Sequence, residues 1–216
     1  MDVDKWNDLL GSSIAFLSQH FGLPEALSIV LFTLLVRLCL MPISFSAAYR
    51  GHKNKLALAA IKPEVDHLKE VYKDNPAELA KRTMSLYSKH GISFFDKKSI
   101  LNLGTQSLFG IAMYHALRNI PFTSKFLWIA SIGKPDVVLT LLVGLLTFLS
   151  MMVMPGMNEH HSMIICVVAS LFSIYILIST PSVLGLYWVV TNFFSIGQSL
   201  FLRYFLYRES QLAISK

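Results

Sequence analysis

An all-α polytopic membrane protein, with five transmembrane helices and a cytoplasmic helical hairpin between the first and second spans, is the fold class this sequence predicts. Three observations predict it. Hydrophobic residues fill 54% of the 216 positions and charged residues only 15%, too little charge for a soluble globule of ordinary composition; the mean hydropathy is +0.53. Five apolar runs of 17 to 23 residues recur along the chain, each long enough to cross a bilayer as a helix. Between the first two runs, from Arg50 to Lys98, the composition changes abruptly to eleven Lys or Arg against six Asp or Glu.

Residues 1–24 form an N-terminal tail and an interfacial helix. Asp2, Asp4 and Asp8 stand where a cleavable signal would carry basic residues, so no such signal is expected. The patch Leu9 to Phe21 is too short and too broken by Ser, Gln and His to span, which predicts a short amphipathic helix on the membrane surface with Trp6 as its anchor. Gly22, Leu23 and Pro24 then turn the chain, and Pro24 with Glu25 suits a helix start.

The first span, residues 25–49, contains LSIVLFTLLVRLCLMPISFSAAY from Leu27 to Tyr49. As a helix those 23 positions reach roughly 34 Å, against about 30 Å of hydrocarbon. Arg37 lies in the middle. Its cost of about 2.5 to 3.5 kcal/mol on insertion scales is outweighed by twelve Leu, Ile, Val and Phe, which return roughly 4 to 7 kcal/mol in total. A charge so placed faces protein or a water-filled cavity and marks a functional site. Thr33, one turn earlier, shares its face. Pro42 predicts a kink near the end of the span.

Residues 50–98 read as the basic hairpin. Ile61, Val65, Leu68 and Tyr72 follow a 4-3-4 spacing, Asp74 to Pro76 make a turn, and Leu79, Thr83 and Leu86 repeat the spacing. Residues 99–205 supply four more spans: Ile100–Leu117, Val137–Met154, Met163–Ser179 and Val183–Phe205. The second span is the most polar, with Asn102, Thr105, Gln106, Ser107 and His115, and is expected to face protein or water on one side; the nearly pure hydrocarbon third span is free to face lipid all round. Residues 206–216 form a tail. With the N-terminus outside, the hairpin and tail carry 14 basic residues and the outer segments four (Lys5, Arg118, Lys125, Lys134), so the hairpin and the C-terminus are assigned to the cytoplasm.

In the last span, Tyr187, Trp188, Thr191, Asn192, Ser195, Gln198 and Ser199 form a polar and aromatic stripe at steps of three and four. Beside the first span and the polar second span, this stripe would wall a cavity in which Arg37 stays hydrated. The alternative is that such groups only tie helices together, the role favoured for Ser195 and Ser199. Cys39 and Cys166 lie inside apolar runs, and no Cys or His pair has zinc spacing. No Gly-x-x-x-x-Gly-Lys loop occurs, so no nucleotide and no cofactor are expected, and the chain does not read as an enzyme.

LLVRLCLMPI followed by a basic helical hairpin, and above all PSVLGLYWVVTNFFSIGQ from Pro181 to Gln198, resembles the YidC/Oxa family of membrane protein insertases. The resemblance covers residues 27 to 205. It implies an N-out core with a hydrophilic groove open to the cytoplasm and lipid and closed on the outer side. It further implies that Arg37 is the groove arginine, Thr33 its neighbour, and Tyr187 and Trp188 the aromatic pair that contacts passing substrate. Lys53 to His90 would be the flexible element that recruits substrate or ribosome-linked partners, with a translocon as another candidate partner. The segment SILNLGTQSLFG, Ser99 to Gly110, departs from the family by lacking two prolines, and Gln106 falls on the family's glutamine with a small gap. The implied clients are nascent or newly made membrane proteins in the bilayer of a bacterial inner membrane. The ending ALRNI is similar to the mitochondrial branch that assembles cytochrome oxidase, which keeps an organellar inner membrane as the alternative. Two other functions stay open at this point: a small transporter or channel subunit with Arg37 as an anion site, although no internal repeat is visible, and an assembly scaffold dedicated to one respiratory complex.

Overall fold

A computed structural model describes residues 3–92, 97–154 and 159–214. Within them the chain forms α1 (Val3–Phe21), α2 (Glu25–Ala60), α3 (Lys62–Val71), α4 (Pro76–Lys89), α5 (Lys97–Asn119), α6 (Val137–Val153), α7 (Glu159–Leu177) and α8 (Ser182–Ile214). Among the described residues the one extended pairing is an isolated bridge between Phe126 and Ile129. The helices divide into two compact units, Met1–Pro42 with Gly104–Lys216, and Ile43–Leu103.

In the larger unit α1 begins before the apolar patch that predicted it and buries Ile14 and Leu17 while Phe16 and Phe21 stay exposed. The side chain of Trp6, the expected anchor, lies outside the described residues. Gly22 takes φ +61, and Leu23 N donates to Ser18 O at 3.1 Å, so a left-handed glycine closes α1 and frees the chain to start α2.

Two expected boundaries are not helix ends. The change of composition at Arg50 does not stop α2, which continues to Ala60, and α8 runs on past Phe205 to Ile214. The physical reason is that Lys, Arg, Leu and Ala favour helix whatever solvent surrounds them. Composition marks where the surroundings change, and the backbone need not follow. Glu25–Ala60 and Ser182–Leu212 are long and apolar enough to cross a bilayer; Val137–Val153 and Met163–Leu177 are apolar but shorter. The polar α5 has 23 residues.

The hydrocarbon span 137–154, free by composition to face lipid all round, is instead packed within the protein. Helix α6 packs closely along both α7 and α8 and buries Leu139, Thr140, Val143, Gly144, Leu146 and Ser150. Small residues allow this: Ser170 Oγ donates to Gly144 O at 2.7 Å, and a Cβ on Gly144 would lie 2.6 Å from Ile174 Cδ1. Against lipid, hydrocarbon gains nothing from facing outward, so packing follows shape instead of hydropathy.

In the smaller unit α3 and α4 pack through Ile61, Val65 and Ile92, with Ala57, Leu58, Leu86 and Tyr87 around them. The predicted stripe is the one turned inward, with Leu68, Tyr72, Leu79, Thr83 and Leu86 half-buried. Asn75 caps α4 by accepting from Glu78 N at 3.2 Å, and Gly91 at φ +66 ends it. On the exposed face, the Lys69 hydrogen bond holds the Asp66 carboxyl below its usual range.

Candidate functional site

The site is built from the apolar end of the larger unit. Ala26 and Ile29 of α2, Met113, Ala116 and Leu117 of α5, Leu139 and Val143 of α6, Leu177 of α7, and Val183, Leu184, Leu186 and Tyr187 of α8 form one buried cluster. The α5–α6 connection closes it with Phe122, Ile129 and Ile132. That connection is pinned: Ser182 N donates to Lys134 O at 3.0 Å and Val183 N to Ile132 O at 2.9 Å. Gly133 is required there, because a Cβ would meet the Phe122 carbonyl oxygen. These residues escaped the reading of the sequence. The signal was present, since seven of the fifteen residues from Ile120 to Lys134 are Ile, Leu, Phe or Trp, far more than a solvated loop carries.

One to two helical turns from this cluster the side chains become polar on three helices. Thr33 lies about 6 Å and Arg37 about 12 Å along α2 from Ile29, Gln106 about 10 Å along α5 from Met113, and Thr191 about 6 Å along α8 from Tyr187. Thr33 is 0% exposed and Arg37 is 8% exposed. Arg37 Nη1 donates to Gln106 Oε1 at 3.3 Å, joining α2 to α5. Arg37 Nε, Thr33 Oγ1 and Thr191 Oγ1 are buried and find no hydrogen-bond partner among the described residues. Buried polar atoms are nearly always paired, and leaving them dry costs about 1 to 3 kcal/mol each. The arrangement therefore suits water or a polar guest. Among the described residues helix α2 has no neighbour packed as closely as those of α6, and its arginine side chain bridges it to α5.

The other expected site residues sort by geometry. Tyr187 is buried at the edge of the cluster, its ring edge-on to Phe109 with centroids 6.0 Å apart. Trp188 is half-buried against the same cluster, and Gln198 is half-buried further along α8. Asn192 is turned to α6: its Nδ2 donates to Thr147 Oγ1 at 2.9 Å and its Oδ1 accepts from Ser150 Oγ at 3.2 Å. That is helix tying, the role expected of Ser195, whose Oγ instead donates to Thr191 O of its own helix. Asn192→Ala is accordingly expected to lower unfolding free energy by about 0.6 to 2 kcal/mol, read as an earlier thermal transition in detergent. In the smaller unit an open pocket of about 510 Å³ lies between α3 and α4, lined by Glu64, His67, Arg82 and Lys89 among others. Among the described residues no group of three or more His, Cys, Asp or Glu side chains is placed to hold a metal ion.

Apolar helices around a buried, partly satisfied arginine define an integral membrane protein with a polar layer inside its helical core. The model of the 60Kd inner membrane protein family matches residues 16–209, and the chain belongs to that family. It is 30% identical to membrane protein insertase YidC of Oceanobacillus iheyensis over 90% of this chain and 82% of the relative. It is 30% identical to membrane protein insertase YidC 2 of Listeria monocytogenes, over 88% and 72% respectively. Membrane protein insertase MisCA of Bacillus subtilis is 29% identical, over 90% and 76%.

Proposed function

We propose that this protein is a membrane protein insertase and chaperone. It moves short polar tails of newly made membrane proteins across the bilayer through a hydrophilic groove open to the cytoplasm, and releases their apolar segments sideways into lipid. Arg37, Thr33, Gln106 and Thr191 form the polar end of the groove, with Tyr187, Trp188 and Gln198 along α8. The observation that carries this reading is the guanidinium of Arg37, buried about two turns from an apolar closure, held at one nitrogen by Gln106 and, among the described residues, without a partner at Nε.

A polar tail faces about 30 Å of hydrocarbon, where each unpaired charge costs several kcal/mol. A groove reaching part-way shortens the dry path. Arg37 attracts an acidic tail more strongly there than it would in bulk water, because the local dielectric is lower. With the N-terminus outside, the membrane potential adds about 2.3 kcal/mol per negative charge moved outward across 100 mV. The 17 residues of α6 reach only about 25 Å, so the bilayer beside them thins to match. Apolar client segments slide along the exposed helices without nucleotide. The basic α3–α4 hairpin, with its open pocket, is the surface for recruiting clients, ribosome or translocon. The surrounding membrane is a bacterial inner membrane.

The test places a photo-crosslinking amino acid at Thr33 or Trp188 in the full chain and adds a stalled nascent membrane protein. Adducts are expected from both positions at clearly higher yield than from Val168, which is exposed on α7. Adducts from Val168 alone, or equal adducts from all three, would remove the groove. An anion flux through protein-containing liposomes that exceeds client insertion would favour the transporter reading instead.

A further inference from the structure

The α5–α6 connection closes the core with its inner residues, yet its tip points the other way. Leu127 is 77% exposed and Trp128 51% exposed, between the buried Phe122 and Ile129. The tip is tight and defined. Phe126 N donates to Ile129 O at 3.0 Å and Ile129 N to Phe126 O at 2.8 Å, which leaves two residues to reverse the chain. Leu127 takes φ +50, and among the described residues it is the one non-glycine with positive φ. A branched, bulky side chain in that region is a strained choice that Gly or Asn would relieve. The strain is sustained at a position whose side chain touches little of the protein, so a contact inside the fold does not explain it.

We propose that Leu127 and Trp128 insert into the headgroup and acyl boundary of the bilayer leaflet at the α5–α6 end of the protein, as a fixed anchor. Three further features point to lipid as the occupant. Trp128 Nε1 donates to Asp136 Oδ1 at 3.3 Å, and Asp136 is the N-cap of α6, accepting from Leu139 N at 2.7 Å, so the indole is held at the level where a membrane helix begins. The tip is continuous with an apolar strip on α6, exposed at Val137, Val138, Leu141 and Leu145. Lys125 and Lys134 are exposed on either side and match phosphate headgroups in charge. An indole with a polar edge satisfied and an apolar face outward is the chemistry of the interfacial belt. The anchor would hold the closing connection flat against its leaflet, which fixes the closed end of the groove to the membrane. The lipid contact rests on α6 lying in the bilayer and not on any client passing through the groove.

The experiment uses the full chain in nanodiscs made with lipids brominated either near the headgroup or near the chain end, with Trp6→Phe and Trp188→Phe so that Trp128 is the sole tryptophan. The expected result is blue-shifted emission, quenched more by shallow bromines than by deep ones and untouched by aqueous iodide. Adding Leu127→Asp, with helix content checked by circular dichroism, is expected to abolish the bromine quenching and admit iodide. Iodide quenching without bromine quenching, quenching by neither, or bromine quenching that survives Leu127→Asp would each overturn the anchor. Failure here would leave client crosslinking at Thr33 and Trp188 unaffected, so the two readings fail separately.

Discussion

Arg37→Ala is expected to slow insertion of single-span clients with acidic translocated tails by about 10- to 100-fold, without lowering the protein's thermal stability. The size follows from the interaction removed: a hydrogen bond to a charged group contributes about 1.5 to 3 kcal/mol, and about 1.4 kcal/mol is a factor of ten in rate. The opposite behaviour of stability follows from burial. Arg37 is held in the fold through Nη1 while Nε is buried with no partner among the described residues, so it is a costly residue to keep. Removing it relieves that cost. A residue whose loss harms transport while leaving or improving the fold is retained for what it does to a client. Arg37→Lys is expected to recover part of the rate, because the charge remains while the fork that meets Gln106 and a carboxylate together is lost. Insertion into proteoliposomes with neutral-tailed and acidic-tailed clients provides the measurement. Equal rates for wild type and Arg37→Ala on the acidic client would exclude the electrostatic step.

How much of this was visible beforehand depends on which physical signal each residue carries. The apolar stripe of α3 was legible because on a short, charge-rich helix apolar spacing has a cost if it is wrong: Ile61 and Val65 are buried where the 4-3-4 pattern put them. Arg37 was legible for the complementary reason, as a charge in hydrocarbon has few places to go. Along apolar helices the same reasoning loses force. Helix α6 carries few polar groups and could by composition stand in lipid on every side, yet it packs against α7 and α8, where Gly144 and Ser170 permit close approach. Hydropathy cannot tell a protein neighbour from a lipid tail. Thr191 and Asn192 show the limit at finer scale. They are adjacent in one polar stripe, but about 100° apart on the helix, and only the three-dimensional structure shows that Asn192 is committed to Thr147 and Ser150 whereas Thr191 Oγ1 has no partner among the described residues. Gln106 is the converse case, a residue placed by sequence only across a gap that the structure sets at hydrogen-bond distance from Arg37.

Met113→Ala is expected to reduce unfolding free energy by about 2 to 5 kcal/mol, and to make protein-containing liposomes leak small ions. Met113 is 0% exposed and belongs to the cluster that joins α2, α5, α6 and α8 to the α5–α6 connection. Truncating it removes most of a side chain from a site fixed on several sides, so the surroundings cannot fully collapse into the space. The cavity would open about 10 Å along α5 from Gln106, next to a layer whose Thr33, Arg37 and Thr191 atoms already call for water. An apolar void usually stays dry, but one that adjoins polar groups offers a water the partners it needs. Met113→Leu, which conserves volume, should cost less than about 1.5 kcal/mol and keep the liposomes tight. If Met113→Ala destabilises the protein while the bilayer remains sealed, the barrier lies in Phe122, Ile129 and Ile132 of the connection; if stability is unchanged, the cluster is not the packed closure on which the groove depends.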